Sequence, residues 1–154
     1  MEFQRRFAKL ISTWFGSGLI RLAPGSLGSL LALPFAWVIF EIGQFPALMI
    51  ATLIVFAVGI WATNVYIRDL PDKDPPEVVI DEVAGQWLTL LVVPADLLYY
   101  AIGFIFFRIA DILKPWPVSW ADQRIKGCLG IMLDDIFAGI YSAIALLAVR
   151  LWLI

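Results

Sequence analysis

Long stretches without a charged residue constrain the fold of this chain more than any other feature. Residues 22–40 and 42–67 contain no Asp, Glu, Lys or Arg, and about 20 apolar residues are enough to cross the hydrocarbon core of a bilayer. The 154-residue chain is 62% hydrophobic and only 16% charged, which is more apolar than a soluble domain of this size can bury. The sequence therefore predicts an all-α, polytopic membrane protein.

Short polar interruptions divide the chain into about five membrane-embedded segments. Residues 41–46 have the composition of a tight turn between the first two runs. Residues 68–82 are rich in Asp, Glu and Pro and cannot span. The remaining embedded segments are expected at residues 83–95, 97–107 and 136–149.

The third and fourth segments are too short for ordinary spans. Helical periodicity continues from residue 97 to Lys114, where Pro115 and Pro117 stop the helix. At about 1.5 Å per residue the two apolar runs reach only about 16–20 Å. They form either a membrane-penetrating hairpin or spans supported by neighbouring helices.

Basic residues are distributed unevenly between the two sides of this arrangement. If the N-terminus and residues 68–82 and 108–135 share one side, that side holds ten of the eleven Lys and Arg residues, all except Arg150. Cytoplasmic loops of membrane proteins are rich in Lys and Arg. We therefore expect this side to face the cytoplasm.

The N-terminal segment is basic and partly apolar. Residues 3–19 mix Phe, Leu, Ile and Trp with Arg and Lys, which favours an interfacial helix; a frayed basic N-terminus is the alternative. Arg5, Arg6 and Lys9 are not followed by a compact apolar run and a cleavage site, so we expect no cleavable signal. No repeat or linker divides the chain, which indicates one membrane-embedded domain over residues 1–154.

Composition excludes several classes of function. A net charge of −2 argues against a nucleic-acid partner. The single Cys128 excludes an internal disulfide and a Cys-rich zinc site. Because the chain contains no His, a metal would be held mainly by carboxylates, carbonyls and water, which suits Mg²⁺.

Three charged groups flank apolar helices on the side that we expect to be cytoplasmic. They are Asp81 with Glu82; Arg108, Asp111 and Lys114; and Asp134 with Asp135, which would open the last helix. Neighbouring acidic pairs resist ionisation together unless a cation lies between them, and Arg and Lys bind phosphate oxygens. The groups predict a metal and phosphate site. Helix capping by the acids and the positive-inside distribution of the bases form the alternative interpretation.

A glycine- and serine-rich stretch precedes and enters the first apolar run. It contains Ser17 in a Gly-Ser-Gly triplet and then Gly25, Ser26 and Ser29. Glycines allow a backbone to approach a ligand closely, and amides at a helix start bind anions. The stretch is a candidate phosphate- or glycerol-binding loop, with an ordinary turn as the alternative; it lacks the Walker A pattern.

Four blocks of sequence resemble the motifs of bacterial phosphatidylglycerophosphatase A, in that family's order. Residues 15–19 (Phe-Gly-Ser-Gly-Leu) and 23–29 (Ala-Pro-Gly-Ser-Leu-Gly-Ser) are similar to its N-terminal motif. Residues 80–87 (Ile-Asp-Glu-Val-Ala-Gly-Gln-Trp) resemble its acidic motif. Its last two motifs are similar to residues 107–117 (Phe-Arg-Ile-Ala-Asp-Ile-Leu-Lys-Pro-Trp-Pro) and 130–139 (Gly-Ile-Met-Leu-Asp-Asp-Ile-Phe-Ala-Gly).

The resemblance implies an all-helical enzyme that removes phosphate from phosphatidylglycerophosphate with Mg²⁺, at the cytoplasmic face of the inner membrane. We hypothesise that the metal ligands are Asp81, Glu82, Asp134 and Asp135. Arg108 and Lys114 would bind the phosphate. Asp111 could act as a metal ligand, an orienting group or a proton donor to the leaving alkoxide. We expect one of the first two roles, since the neighbouring cations keep it ionised.

Two other interpretations use the same residues. The first is a phosphatase or transferase for another lipid phosphate. A histidine-dependent phosphatase is excluded because the chain has no His. A Cys-x5-Arg phosphatase is excluded because the residue six positions after Cys128 is Asp134. The second is a small ion-binding transporter, which would place acids along a path through the bilayer, whereas here they gather at one face. The sequence favours no particular oligomeric state.

Overall fold

The computed structural model describes residues 2–153, and every regular element in that range is helical. The elements are α1 (Glu2–Ser12), a short 3-10 turn (Ser17–Leu19), α2 (Pro24–Ile67), α3 (Ile80–Leu90), α4 (Leu97–Leu113), α5 (Val118–Arg124) and α6 (Cys128–Leu153). The prediction of an all-α fold is confirmed.

Helix α2 folds back on itself near its middle. Gly43 and Gln44 leave the helical region, with φ of −142° and 55°. Gly28 lies before this break and Gly59 after it, yet both lie against the residues that begin α3. A straight helix would separate these two glycines by about 46 Å, so the two halves of α2 run in opposite directions. The turn predicted at residues 41–46 is confirmed.

Two helices, α2 and α6, are long and apolar enough to cross a membrane. Because α2 turns back, each of its halves (24–42 and 45–67) has about the length of one span. Helix α3 has 11 residues and α4 has 17, which correspond to about 17 and 26 Å. Helix α3 is therefore too short to cross a bilayer, and five embedded segments stay a prediction.

Helix α3 lies at the centre of the fold, between α2 and α6. Nine of its eleven residues are buried. On the α2 side, Trp87 Nε1 donates to the Ala32 carbonyl at 2.9 Å. On the α6 side, a Cβ added to Gly139 would lie 2.6 Å from the carbonyl oxygen of Gly85, so the two backbones touch at a point that admits no side chain. Contacts on both sides fix the position of α3.

The last helix begins earlier than predicted. We expected an apolar segment over residues 136–149 opened by Asp134 and Asp135, but α6 runs from Cys128 to Leu153, and the two acids lie about two turns inside it. Both side chains face other parts of the protein and are almost fully buried. Because they do not meet lipid, their charges do not end the helix.

The N-terminal helix and the polar loop before α3 meet at one end of the bundle. Arg5 Nη1 lies 3.4 Å from Asp69 Oδ2, and the backbone N–H of Val79 donates to the Ser12 carbonyl at 2.9 Å. A helix within residues 3–19 is thus present, while its location at a membrane interface stays a prediction. These contacts place two of the three basic regions side by side.

The opposite end of the bundle carries few charges. The Asp96 carboxylate caps α4 by accepting from the N–H groups of Leu98 and Tyr99. Arg150 in the last turns of α6 donates to the Val92 carbonyl. Arg150 is the one basic residue assigned to this end, and its guanidinium therefore binds a backbone carbonyl just after α3.

Candidate active site

Three carboxylates, two of them buried and one half-buried, form the centre of the candidate site. Asp81 and Glu82 lie in the first turn of α3, where the helix dipole favours negative charge. Asp135 comes from α6, whose backbone approaches α3 so closely that a Cβ on Gly85 would lie 2.5 Å from the Asp135 carbonyl oxygen. One oxygen from each of the three carboxylates lies within 4.8 Å of the other two.

These carboxylates are incompletely satisfied by the protein. Asp81 Oδ1 and Glu82 Oε2 are buried and have no hydrogen-bond partner among the described residues, which is costly for a polar atom. Burial, followed by repulsion from Asp135, raises the pKa of the Glu82 carboxyl to about 8. A hard divalent cation would satisfy the free lone pairs and offset the repulsion, and a set of three carboxylates suits Mg²⁺.

Arg108 of α4 is held beside the carboxylates by two contacts. Its Nη1 lies 2.7 Å from Asp111 Oδ2, one turn further along α4, and it donates to Ser29 Oγ of α2 at 3.4 Å. Arg108 Nε is buried without a partner among the described residues. The guanidinium is thus oriented and retains donors that can bind an anionic group.

Lys114 ends α4 in a left-handed conformation, with φ 44° and ψ 57°. Its Nζ lies 2.8 Å from Asp134 Oδ2 and also contacts Asp122 of α5. Burial by itself lowers the pKa of Lys114, but the hydrogen bonds to Asp122 and Asp134 outweigh it and raise the pKa above its usual value. Lys114 therefore stays protonated, and Asp134 pairs with this cation instead of joining the group of three carboxylates.

A cleft of about 460 Å³ connects all of these groups. Its charged lining includes all the charged residues that the sequence predicted: Asp81, Glu82, Arg108, Asp111, Lys114, Asp134 and Asp135. Gly25 and Ser26 line it at the start of α2. A Cβ on Gly25 would collide with Glu82 Oε1 and lie 3.3 Å from Arg108 Nη1, so glycine allows α2 to begin at this position.

The two remaining predicted serines are placed differently. Ser17 is buried in the turn before α2, where its hydroxyl donates to the Thr13 carbonyl at 3.2 Å, and it lines a separate hollow. Ser29 donates to the Gly25 carbonyl at 2.8 Å and accepts from Arg108. The structure thus brings Ser29 to the edge of the site and leaves Ser17 outside the cleft.

Two acidic residues at the site were missed by the sequence analysis. Asp122 contacts Lys114 from α5, and Asp74 lines the cleft from the proline-rich loop before α3. The Lys114–Asp122 pair spans eight residues across a proline-containing turn, so no helical spacing indicates it. Asp74 stands in a loop of several charges, and nothing local distinguishes it from Asp72.

Comparison with known proteins gives consistent matches along the chain. The sequence profile of the phosphatidylglycerophosphatase A family matches residues 10–150. Phosphatidylglycerophosphatase A of Escherichia coli (strain K12) is 38% identical over 135 residues, which cover 87% of this chain and 78% of the relative. The Haemophilus influenzae protein of the same name is 32% identical over 146 residues, covering 94% and 90%.

A third relative carries a different name. A Bacteroides thetaiotaomicron protein, provisionally named a phosphatidylinositol-3-phosphatase, is 42% identical over 154 residues, which cover 94% of each chain. No solved structure matches this chain.

Proposed function

Because the chain belongs to the phosphatidylglycerophosphatase A family and is a phosphatase, we propose that it hydrolyses phosphatidylglycerophosphate to phosphatidylglycerol and inorganic phosphate with the help of Mg²⁺. The observation that carries the proposal is the meeting of three closely spaced carboxylates with Arg108 and Lys114 in one cleft. Carboxylates supply the ligands of a hard cation, and Arg and Lys bind phosphate oxygens.

In this proposal Asp81, Glu82 and Asp135 hold the metal through their partly unsatisfied oxygens. Bound there, Mg²⁺ acts as a Lewis acid toward the phosphate oxygens. Asp134 contributes less directly than the sequence predicted. Its Oδ2 holds Lys114, and its Oδ1 accepts the backbone N–H of Asp135 at 3.0 Å, so it orients both a basic group and the neighbouring ligand.

The basic residues and the start of α2 would bind the phosphate. Arg108 offers its free N–H groups, and Lys114 offers a protonated amine held in place by two carboxylates. Asp111 orients the guanidinium of Arg108. Gly25 and Ser26 line the cleft in the first turn of α2, where helix amides lack partners within the helix and favour anions.

The apolar helices and the family together indicate association with a membrane. We place the protein as a single domain in the bacterial inner membrane, with the cleft at the cytoplasmic face. The supporting observation is charge: the cleft lies at the end of the bundle formed by α1, the loop before α3 and α5, to which ten of the eleven basic residues are assigned. The positive-inside rule orients such an end toward the cytoplasm.

A second candidate substrate is a phosphoinositide or another lipid phosphate monoester. The observation that favours it is the 42% identity to the Bacteroides thetaiotaomicron protein, which is higher than the identity to either phosphatidylglycerophosphatase. Both substrates present a terminal phosphate to the same cleft. Parallel assays with the two lipids distinguish them, and we expect the higher kcat/KM with phosphatidylglycerophosphate.

The proposal is tested by measuring phosphate release from phosphatidylglycerophosphate by the purified protein in detergent. We expect Mg²⁺-dependent release that a chelator abolishes and that Asp135→Asn lowers by roughly 100-fold or more, the size of effect seen when a key electrostatic group is removed from an active site. The matched control is Glu41→Gln, which neutralises an exposed carboxylate near the turn in α2. It should retain full activity.

Two results would contradict this function. The first is wild-type protein that is folded but releases no phosphate with Mg²⁺. The second is equal activity of Asp135→Asn and Glu41→Gln, which would show that the three-carboxylate group takes no part in the reaction.

A further inference from the structure

An apolar groove lies between the first half of α2 and α4. It has a volume of about 710 Å³ and is lined by residues between 30 and 38 of α2 and between 97 and 105 of α4; we call it the α2–α4 groove. Nearly all of its lining side chains are aliphatic or aromatic. It is separate from the polar cleft, which the same two helices help to line further along.

The groove and the phosphate cleft share one face of each helix. On α4, Ala101, Ile105 and Arg108 follow one another at spacings of four and three residues, so Arg108 continues the groove-lining face. On α2, Ser26 and Leu30 are similarly related. A molecule bound at Arg108 that extends along these helices therefore enters the groove.

The two ends of the groove are marked by contacts between α2 and α4. At the cleft end, Arg108 Nη1 donates to Ser29 Oγ at 3.4 Å. At the other end, the rings of Trp37 and Tyr100 meet edge to face with centroids 5.2 Å apart. From residue 30 to residue 38 the helix rises about 12 Å, which is enough for a substantial part of a lipid tail.

The groove is also open along its side. Leu30 and Ile105 at its rim are 47% and 52% exposed, on helices whose outer surfaces are apolar. Since α2 is long enough to cross a membrane, this side would face hydrocarbon in a bilayer. A lipid tail can enter laterally while its phosphate enters the cleft from the polar end.

From this arrangement we propose that the α2–α4 groove binds one acyl chain of the lipid phosphate substrate and so positions the terminal phosphate at Arg108. The proposal rests on the proposed function, because the occupant is the tail of the molecule whose phosphate lies in the cleft. It adds a binding site for the tail to the phosphate site in the cleft. The deacylated headgroup phosphate would bind through the cleft alone.

The first test fills the groove. Ala101→Trp places an indole among the lining side chains, and Ala57→Trp, at an exposed position of α2 outside the groove, is the matched control. For dipalmitoyl phosphatidylglycerophosphate we expect Ala101→Trp to raise KM by roughly tenfold, the change expected when about two methylene groups lose their burial. For the same substrate without its two acyl chains, glycerophosphoglycerol phosphate, we expect both variants to have the KM of the wild type.

The outcomes of this test distinguish a failure of the groove proposal from a failure of the proposed function. If the wild type hydrolyses the diacyl lipid but both Trp variants have the same KM for it, the groove does not bind the tail. If Ala101→Trp loses activity equally toward the diacyl and deacylated substrates, the groove has no selective role. If the wild type hydrolyses neither substrate, the proposed function itself fails.

A second measurement uses the wild-type protein and does not depend on a variant folding. Phosphatidylglycerophosphate with a diazirine in one acyl chain is photolysed in detergent with the protein, and the labelled peptides are identified. We expect labelling concentrated in peptides from residues 24–42 and 97–113, reduced by unlabelled substrate and unchanged by phosphatidylcholine. Even labelling of all outer helix surfaces, or equal competition by phosphatidylcholine, would show general lipid contact and overturn the proposal.

Discussion

The α3–α6 crossing and the α2–α4 interface are built in opposite ways. Where α3 meets α6, a Cβ on Gly85 or Gly139 would lie 2.5 or 2.6 Å from a backbone oxygen of the other helix, so backbone rests on backbone. Where α2 faces α4, large side chains such as Trp37 and Phe104 hold the helices apart and leave about 710 Å³. Helices α3 and α6 leave no space between their backbones, whereas α2 and α4 leave an open groove between them.

The difference follows from what each interface has to position. In the proposed function the acids of α3 and α6 must come within a few ångströms of one another to share a cation. The close approach of the two helices at Gly85 and Gly139 fixes that distance without depending on side-chain rotamers. An acyl chain has many conformations and no directional contacts, so a groove lined by side chains is sufficient for it. We therefore expect the α3–α6 crossing to tolerate almost no increase in side-chain size, and the α2–α4 groove to tolerate many apolar substitutions.

The largest expected effect comes from breaking the tight crossing. Gly139→Leu should destabilise the protein by about 3 kcal/mol or more, since an overpacked core must move backbone to accommodate the new side chain. Thermal unfolding in detergent measures this, with Ala57→Leu as the matched control at an exposed site of α2. Unchanged stability of Gly139→Leu would mean that α3 and α6 can separate freely, and the contrast with α2–α4 would disappear.

A smaller effect is expected when one charge partner is removed from the polar end. Asp122→Asn removes one of the two carboxylate charges that raise the pKa of Lys114 and weakens the hydrogen bond there, so this pKa should fall. In the proposed function Lys114 binds phosphate in its protonated form, so activity should be lost as pH rises through its pKa. We expect Asp122→Asn to lose kcat/KM at a lower pH than the wild type, in which Lys114 stays protonated throughout the accessible alkaline range.

The pH profile of Glu41→Gln serves as the comparison for Asp122→Asn. This control removes a carboxylate from a distant part of the bundle and should leave the alkaline limb where the wild type has it. An unshifted limb in Asp122→Asn as well would mean that Lys114 does not govern the alkaline loss of activity.

The smallest effect is expected from a volume-conserving change in the groove. Leu33→Met keeps an apolar side chain of similar size among the lining residues, and such exchanges cost less than about 1.5 kcal/mol even in packed cores. We expect the KM for dipalmitoyl substrate to change by about twofold or less. A tenfold rise in that KM would show that the groove is as sensitive to small changes in side-chain shape as the α3–α6 crossing.

Local signals in the sequence were sufficient for much of the fold. Uncharged runs of span length and the turn-forming residues 41–46 predicted the hairpin in α2, and Pro115 predicted the end of α4. Each of these depends on residues that are neighbours in the chain. The family resemblance added the phosphatase activity, which no spacing of residues indicates.

The errors came from contacts between residues that are distant in the sequence. The start of α6 was misplaced because Asp134 and Asp135 were treated as the boundary of an apolar segment, whereas burial against α3 and Lys114 removes them from lipid. Asp122 was missed because its partner lies across a turn. Ser17 was predicted because its neighbours resembled a binding loop. Its hydroxyl donates within a local turn outside the cleft, and its role stays a prediction.

The side opening of the α2–α4 groove bears on how the protein encounters its substrate. A lipid that enters from the hydrocarbon layer diffuses in two dimensions and never passes through bulk water. The rate of encounter then depends on the mole fraction of substrate among the surrounding lipids and not on its amount per volume of solution. Adding inert detergent or neutral lipid at constant substrate should slow the reaction by surface dilution alone, with the protein itself unchanged.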